Sequence, residues 1–317
     1  MAEFLIMLKN VLVFVALAIP GFLMAKKKVL QPQDCNALSQ ILIYVAMPFL
    51  VFYSALDITL NGKTALEFLL VAVLTGIGQL GGCLLTNLLP GLPKDAQQRN
   101  VMRFAMVFGN NGFLGLPLVA ALFSESLPIT VAYSAIIGIV SNLLILIVGN
   151  HMIVGKKATF SFKCMVTNPV LIAFSLGAIA NLLKITDRLP EVETYAVYLK
   201  NLVTPVSMFI IGIKFGEMKL KHLICDKKLY YVTFVRLVLF PALVAAILLL
   251  VRIVLPVSDP LILALFIGFA MPTAAMTTSL AVQSNMPGNS ATGYVLGTTL
   301  FSVVTLPVLY SLLQIFL

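Results

Sequence analysis

The chain of 317 residues is far more apolar than a soluble domain. Hydrophobic residues make up 60% of it and charged residues only 10%, whereas about 25% of residues are charged in a typical soluble domain. This composition indicates a polytopic membrane protein. The net charge of +9 comes from basic residues in short loops between apolar segments, so it reports membrane topology and does not indicate a nucleic-acid-binding surface.

Ten apolar segments are long enough to cross a bilayer, which takes about 20 residues per helix. In chain order, the predicted spans cover residues 4–24, 35–57, 64–89, 99–122, 128–153, 164–183, 192–214, 229–254, 261–282 and 291–315. The loops after the odd-numbered spans hold 14 of the 21 Lys and Arg residues. Because positive charge favours the cytoplasmic side, both termini are expected outside the cytoplasm, in the cell membrane.

The fourth predicted span contains a stretch that a continuous lipid-facing helix would not tolerate. Residues 108–117 read Phe-Gly-Asn-Asn-Gly-Phe-Leu-Gly-Leu-Pro. Backbone groups released by a broken helix find no water in hydrocarbon, so a break is expected only where it builds something. Close packing of small residues is one interpretation. The Asn-Asn pair favours the other, a discontinuous helix that forms a binding site near the middle of the membrane.

The second half of the sequence echoes the first. The break in span 4 predicts another near residue 272 of span 9, where residues 270–275 read Ala-Met-Pro-Thr-Ala-Ala. Two groups of five spans are therefore predicted, residues 1–153 and 164–317, joined by a cytoplasmic linker at 154–163. Because five crossings end on the side of the membrane opposite to where they began, the second group is inserted upside down relative to the first. The predicted fold is an all-α membrane protein with ten transmembrane helices in two inverted five-helix repeats and broken crossing helices 4 and 9.

Two broken helices that cross at the membrane centre predict an anion site. Pro117 and Pro272 are each predicted to be the first residue of a second half-helix, where a missing N–H group has no cost. Half-helix N-termini direct N–H groups and a positive dipole end toward the crossing, which favours a carboxylate. The side chains of Asn110, Asn111 and Thr273 would add further donors. The candidate substrate-binding residues are Asn110, Asn111, Gly112, Pro117, Met271, Pro272 and Thr273.

The motif at 109–117, with Met271-Pro272-Thr273-Ala274 in span 9 and ten spans overall, resembles the auxin efflux carrier family. The short connection between the halves is similar to its compact prokaryotic branch, which includes malate and malonate permeases. The resemblance implies the fold of sodium/proton antiporters and bile acid symporters, with spans 3–5 and 8–10 as a mobile, elevator-type transport domain. Spans 1, 2, 6 and 7 would form a scaffold that often dimerises. It also implies that Asn111 or Asn110 binds the substrate carboxylate.

The leading functional expectation is a secondary transporter of a small organic carboxylate, such as a dicarboxylate or an auxin-like acid. A ligand-binding sensor on the same fold is an alternative. A cation-coupled antiporter is another, but it needs carboxylates at the crossing, and predicted spans 4 and 9 contain none. No nucleophile–base pair or metal motif lies in the spans, so an enzyme, a cofactor and a metal are not expected. The expected partners are the substrate, the bilayer and a second copy bound through the scaffold, with no nucleic acid.

Other polar residues within the predicted spans have more ordinary interpretations. Arg236 lies about eight residues into span 8, close enough to the interface to extend toward it, and a structural role is favoured over attraction of anions. Glu67 is expected at the outer end of span 3, near the interface. Gln79, Asn142 and Asn181 are expected to be buried amides that either join helices or line a cavity.

Overall fold

The computed structural model describes residues 2–31, 34–56, 58–59, 61–123, 126–155, 167–185, 190–216, 226–255, 257–284 and 288–317. Most of the predicted linker and the first three residues of predicted span 6, together residues 156–166, lie outside the described residues. The division into two repeats at this linker therefore stays a prediction.

Helices joined by short connections make up most of the described chain. They are α1 Ala2–Lys26, α2 Asp34–Leu56, α3 Gly62–Leu85, α4 Ala96–Val107, α5 Asn111–Phe123, α6 Pro128–Val154, α7 Pro169–Leu182, α8 Pro190–Gly216, α9 Lys227–Val254, α10 Asp259–Ala270, α11 Met276–Gln283 and α12 Gly288–Leu313. By length and composition, α1, α2, α3, α6, α8, α9 and α12 can each cross a membrane, whereas α5, α7 and α10 are shorter apolar helices. The predicted class, a multi-span all-α membrane protein, is confirmed.

Predicted spans 4 and 9 are each divided into two half-helices. The first consists of α4 and α5, separated by non-helical backbone at 108–110, and the second of α10 and α11, separated at 271–275. Every residue of α10 from Leu261 to Ala270 is buried, as expected of a helix that is apolar on all sides and enclosed by protein. Both breaks therefore occur where the sequence predicts them, inside the protein.

The prediction that Pro117 and Pro272 begin the second half-helices is wrong. α5 starts at Asn111, because the Asn110 side chain caps it, and Pro117 lies well inside the helix. The first turn of α5 is π-helical, with the Leu116 N–H group reaching the Asn111 carbonyl. Pro117 has no backbone N–H group to donate, and it lies where the π-helical hydrogen-bonding pattern changes to the α-helical one. Pro272 lies in the extended segment before α11, which starts at Met276.

Two helix pairs approach each other closely through glycine. In the α1–α8 pair, a Cβ atom at Gly212 would overlap the carbonyl oxygen of Ala18. In the α2–α7 pair, a Cβ at Gly177 would lie 2.6 Å from the carbonyl oxygen of Phe52. Small residues permit such backbone contact, which stabilises helix pairs in lipid by packing. These helices are the ones that the family resemblance assigns to the scaffold, an assignment that stays a prediction.

Candidate functional site

The two breaks are joined to each other by backbone hydrogen bonds centred on Gly109. The Asn110 N–H group donates to the Pro272 carbonyl at 2.7 Å, and the Ala274 N–H group donates to the Phe108 carbonyl at 2.9 Å. This short antiparallel bridge satisfies polar groups that a broken helix would otherwise leave without partners in an apolar environment. The crossing is therefore a fixed backbone junction, with the ends of all four half-helices around it.

The two adjacent asparagines have different partners. The Asn110 side-chain oxygen accepts from the Phe113 N–H group at 3.3 Å and so caps α5. The Asn111 side-chain nitrogen donates to the hydroxyl of Ser141 in α6 at 3.0 Å. Within the described part of the chain, the Asn111 side-chain oxygen has no hydrogen-bonding partner, although the residue is only 5% exposed. Since Asn110 serves as the cap, Asn111 is the stronger candidate for contact with a substrate.

The side chain and the N–H group of Thr273 both form hydrogen bonds within the protein. Its hydroxyl donates to the Ala105 carbonyl of α4 at 2.8 Å, and its N–H group donates to the Thr298 hydroxyl of α12 at 3.0 Å. Thr273 is completely buried. It therefore ties the second break to α4 and α12, and its role as a donor to a substrate stays a prediction.

Two glycines in the first turn of α5 have different surroundings. A Cβ atom at Gly112, which is partly exposed, would have no neighbour within 4 Å. At Gly115, a Cβ would lie 3.4 Å from the Asn111 side-chain oxygen and 3.1 Å from the Met271 side chain. The structure thus brings Asn110, Asn111, Met271 and Pro272 together at the crossing, with open space beside Gly112.

Arg236 is buried at the crossing, so the expectation that its side chain extends to the membrane interface is wrong. The side chain is 1% exposed. Its Nε donates to the Met271 carbonyl at 2.7 Å, and its Nη1 donates to the Val107 carbonyl at 2.6 Å, with a longer contact of 3.4 Å to Met106. A Cβ at Gly109 would overlap the guanidinium group. One cation therefore binds the carbonyl ends of both α4 and α10.

These contacts determine the balance of charge at the crossing. The C-terminal ends of α4 and α10 carry partial negative charge, and Arg236 offsets it, whereas the N-terminal ends of α5 and α11 carry partial positive charge. α4, α5 and α11 contain no Asp or Glu, and α10 has only Asp259, at its far end. Beside α5, the Nζ of Lys214 in α8 lies 5.7 Å from the Phe113 ring centroid. Among the described residues, the charged side chains beside the crossing are therefore cations.

The structure also shows the surroundings of three other polar residues that the sequence analysis considered. Glu67 is buried, where the sequence indicated a position near the interface: it accepts from the Tyr133 hydroxyl of α6 and, at 3.2 Å, from the Ser258 N–H group at the start of α10. Asn181 joins α7 to α2, because its nitrogen donates to the Ala55 carbonyl at 3.2 Å and to the Ile58 carbonyl, just past the end of α2, at 2.7 Å. Asn142 is exposed, so the prediction of a buried amide is wrong there.

The residues predicted from the sequence do not include Ser141, which contacts the candidate residue Asn111. Its hydroxyl accepts from Asn111 and also from the Gln79 side-chain nitrogen, at 2.5 Å. The only available signal was its place in the sequence, since Ser141 in span 5 corresponds to Ser302 in span 10. Nothing in that correspondence indicated that a serine in one span contacts an asparagine in another.

An apolar cavity of about 260 Å³ lies next to the first turns of α5. It lies between α1 and α8 on one side and α5 and α12 on the other. Its walls include Phe14, Phe22, Leu114, Leu118, Met208 and Val303. Leu114 is three residues from Asn111, so the cavity begins close to the crossing. It offers room for an apolar group.

Comparisons with known proteins agree with this architecture. The profile of the family described as Membrane transport protein matches the chain twice, at residues 5–163 and 159–310. An uncharacterized transporter of Methanothermobacter thermautotrophicus is 27% identical over 301 residues, which are 94% of this chain and 96% of that protein. The two matched segments together include most of α1, all of α2–α11 and most of α12. This multi-pass membrane protein is therefore a transporter that belongs to the membrane transport protein family, the auxin efflux carrier-like group.

Proposed function

We propose that the protein is a secondary transporter of a small organic carboxylate, which binds at the crossing with its carboxylate near Asn111. The observation that carries this proposal is the way Arg236 uses its charge. By binding the carbonyl ends of α4 and α10, it offsets the negative half of the helix dipoles and leaves the positive N-terminal ends of α5 and α11 at the crossing. A cation has no carboxylate to bind there.

The apolar cavity supports a substrate with an apolar body. Its walls are almost entirely hydrocarbon, so a second carboxylate placed there would lose its hydration without gaining partners. Among the acids expected from the sequence, this favours an auxin-like monocarboxylate over a dicarboxylate.

The proposed transport is of the elevator type. The helices that the resemblance assigns to the scaffold are closely packed through Gly212 and Gly177, while a cavity lies along part of the contact of α1 and α8 with α5 and α12. Tight packing within one group of helices, and a cavity along part of its contact with the other group, support motion of α3–α6 and α9–α12 as a unit. In this proposal both termini lie outside the cytoplasm, as the loop charges predict.

Binding and transport assays test the proposal. The purified protein is heated with acetate, malonate, succinate, phenylacetate or indole-3-acetate, and a bound acid is expected to raise the melting temperature. Counterflow of the best acid in proteoliposomes then separates a transporter from a sensor, which would bind without moving its ligand. Failure of every acid to stabilise the protein, together with no counterflow, would contradict the proposal.

Substitutions of Asn111 locate the carboxylate. Asn111→Ala removes a hydrogen bond to a charged group, a loss of about 1.5–3 kcal/mol, so affinity is expected to fall about tenfold to a hundredfold. Asn111→Asp keeps the shape but places a negative charge against the substrate, and a larger loss is expected. Asn36→Asp, which changes an exposed amide in the first turn of α2, is the matched control and should retain affinity. Unchanged affinity in folded Asn111→Asp would exclude Asn111 from the site.

A further inference from the structure

Three buried polar side chains from three helices meet beside the crossing. They are Gln79 of α3, Asn111 of α5 and Ser141 of α6, with exposures of 1%, 5% and 1%. The Ser141 hydroxyl oxygen lies 2.5 Å from the Gln79 nitrogen and 3.0 Å from the Asn111 nitrogen. Since each group comes from a different helix, only the tertiary structure assembles them.

The arrangement leaves two buried acceptors without donors. In the structure, Ser141 accepts from both amide nitrogens, and within the described residues the side-chain oxygens of Gln79 and Asn111 have no hydrogen-bonding partner. A buried oxygen without a donor incurs the full desolvation penalty of that group. Meanwhile neither amide accepts the proton of the Ser141 hydroxyl.

Turning one amide removes part of this penalty. The two ends of a carboxamide have nearly the same shape, so the Asn111 amide fits either way round. When the Asn111 side-chain oxygen faces α6, Ser141 accepts from Gln79 and donates to that oxygen. The hydrogen bonds then form a chain that runs in one direction, from Gln79 through Ser141 to Asn111. Both hydrogens of the Asn111 nitrogen then lie on the side of Gly115 and the crossing, where its oxygen lies in the structure.

We propose that Gln79 and Ser141 are positioning residues that hold the Asn111 amide with its N–H₂ group toward the substrate carboxylate. Gln79 donates to Ser141, so the serine proton goes to the Asn111 oxygen and the Asn111 nitrogen serves the anion. The same chain in the opposite direction would present the Asn111 oxygen, which suits a cation. This inference rests on the proposed function and names the residues that give the site its preference for anions.

A double-mutant cycle tests the direction of the chain. Gln79→Glu replaces a donor with an acceptor, so Ser141 must donate to the introduced carboxylate and accept from Asn111, which turns the Asn111 oxygen toward the crossing. The probe is whichever of acetate, malonate, succinate, phenylacetate or indole-3-acetate stabilises the wild type most. Gln79→Glu is expected to lower the affinity for this probe by a factor at least about tenfold larger in the wild-type background than in the Asn111→Ala background. Simple repulsion by the new charge acts in both backgrounds and cancels.

A second arm needs no substrate. Gln79→Met and Ser141→Ala are expected to lower the melting temperature of the ligand-free protein by less together than the sum of their separate effects, because each breaks the same chain. Ser141→Thr, which keeps the hydroxyl, should retain affinity. Thr75→Val is the matched control on α3: Thr75 is buried and bonds only the Val71 carbonyl among the described residues, so affinity should not change.

The outcomes separate this inference from the proposed function. Additive losses of stability would contradict the chain, whatever the substrate. Equal losses of affinity for Gln79→Glu in the two backgrounds would show that Gln79 does not act through Asn111 and would overturn the proposal. If stability losses are coupled but no acid binds the wild type, the proposed function fails and the chain has no role in anion binding.

Discussion

Replacing Arg236 with methionine should destabilise the whole crossing. Met has a similar length and no donors, so Arg236→Met leaves the Met271 and Val107 carbonyls buried without the guanidinium that binds them. It also removes the only charge that offsets the C-terminal ends of α4 and α10 among the described contacts. The variant therefore tests whether the buried arginine stabilises the fold.

The expected magnitude follows from the two short hydrogen bonds. A hydrogen bond to a charged group is worth about 1.5–3 kcal/mol, so the bonds at 2.6 and 2.7 Å together give about 3–6 kcal/mol. Methionine also relieves the desolvation penalty of a buried guanidinium, so the lower end, about 3 kcal/mol, is expected. At about 2 °C per kcal/mol for a chain of this size, the melting temperature should fall by about 6 °C.

Thermal unfolding of the ligand-free protein in detergent measures the effect. Arg252→Met is the matched control, because Arg252 lies on the same helix, α9, and its ion pair with Asp259 at 3.1 Å is partly exposed. Such a pair is worth at most about 1 kcal/mol. Arg236→Lys keeps the charge but not the fork of donors and should give an intermediate loss. If Arg236→Met melts as Arg252→Met does, the carbonyl contacts do not stabilise the crossing and the reasoning is refuted.

Two further predictions concern close backbone contacts. Gly109→Ala puts a methyl group where the Arg236 guanidinium lies, so a loss of about 1–3 kcal/mol is expected by thermal unfolding; an unchanged melting temperature would contradict the contact. Gly212→Leu should separate α1 from α8 at Ala18 and lower stability by a similar amount. Gly138→Ala is the control for both, since its Cβ would meet nothing within 4 Å; a comparable loss there would indicate a general effect of glycine replacement.

Local chemistry determined the membrane class and the positions of both breaks. Apolar length is a property of the sequence alone, and glycine, proline and adjacent asparagines at 108–117 interrupt a helix whatever surrounds them. The break near Pro272 followed from its counterpart in the first half. The start of α5 was mislocated, because Pro117 and Asn110 both resemble helix starts and the stronger one, the asparagine cap, prevailed.

Only the tertiary structure decided what the polar side chains do. In the sequence, Arg236 is an arginine near the end of a predicted span. The carbonyls of Val107 and Met271, to which it donates, belong to other segments of the chain. The link from Gln79 through Ser141 to Asn111 likewise joins three helices. Hydrogen bonds act over about 3 Å, and which distant groups come within that distance depends on how the helices pack. The sequence alone therefore determined where the helices break, and packing determined which groups face the crossing.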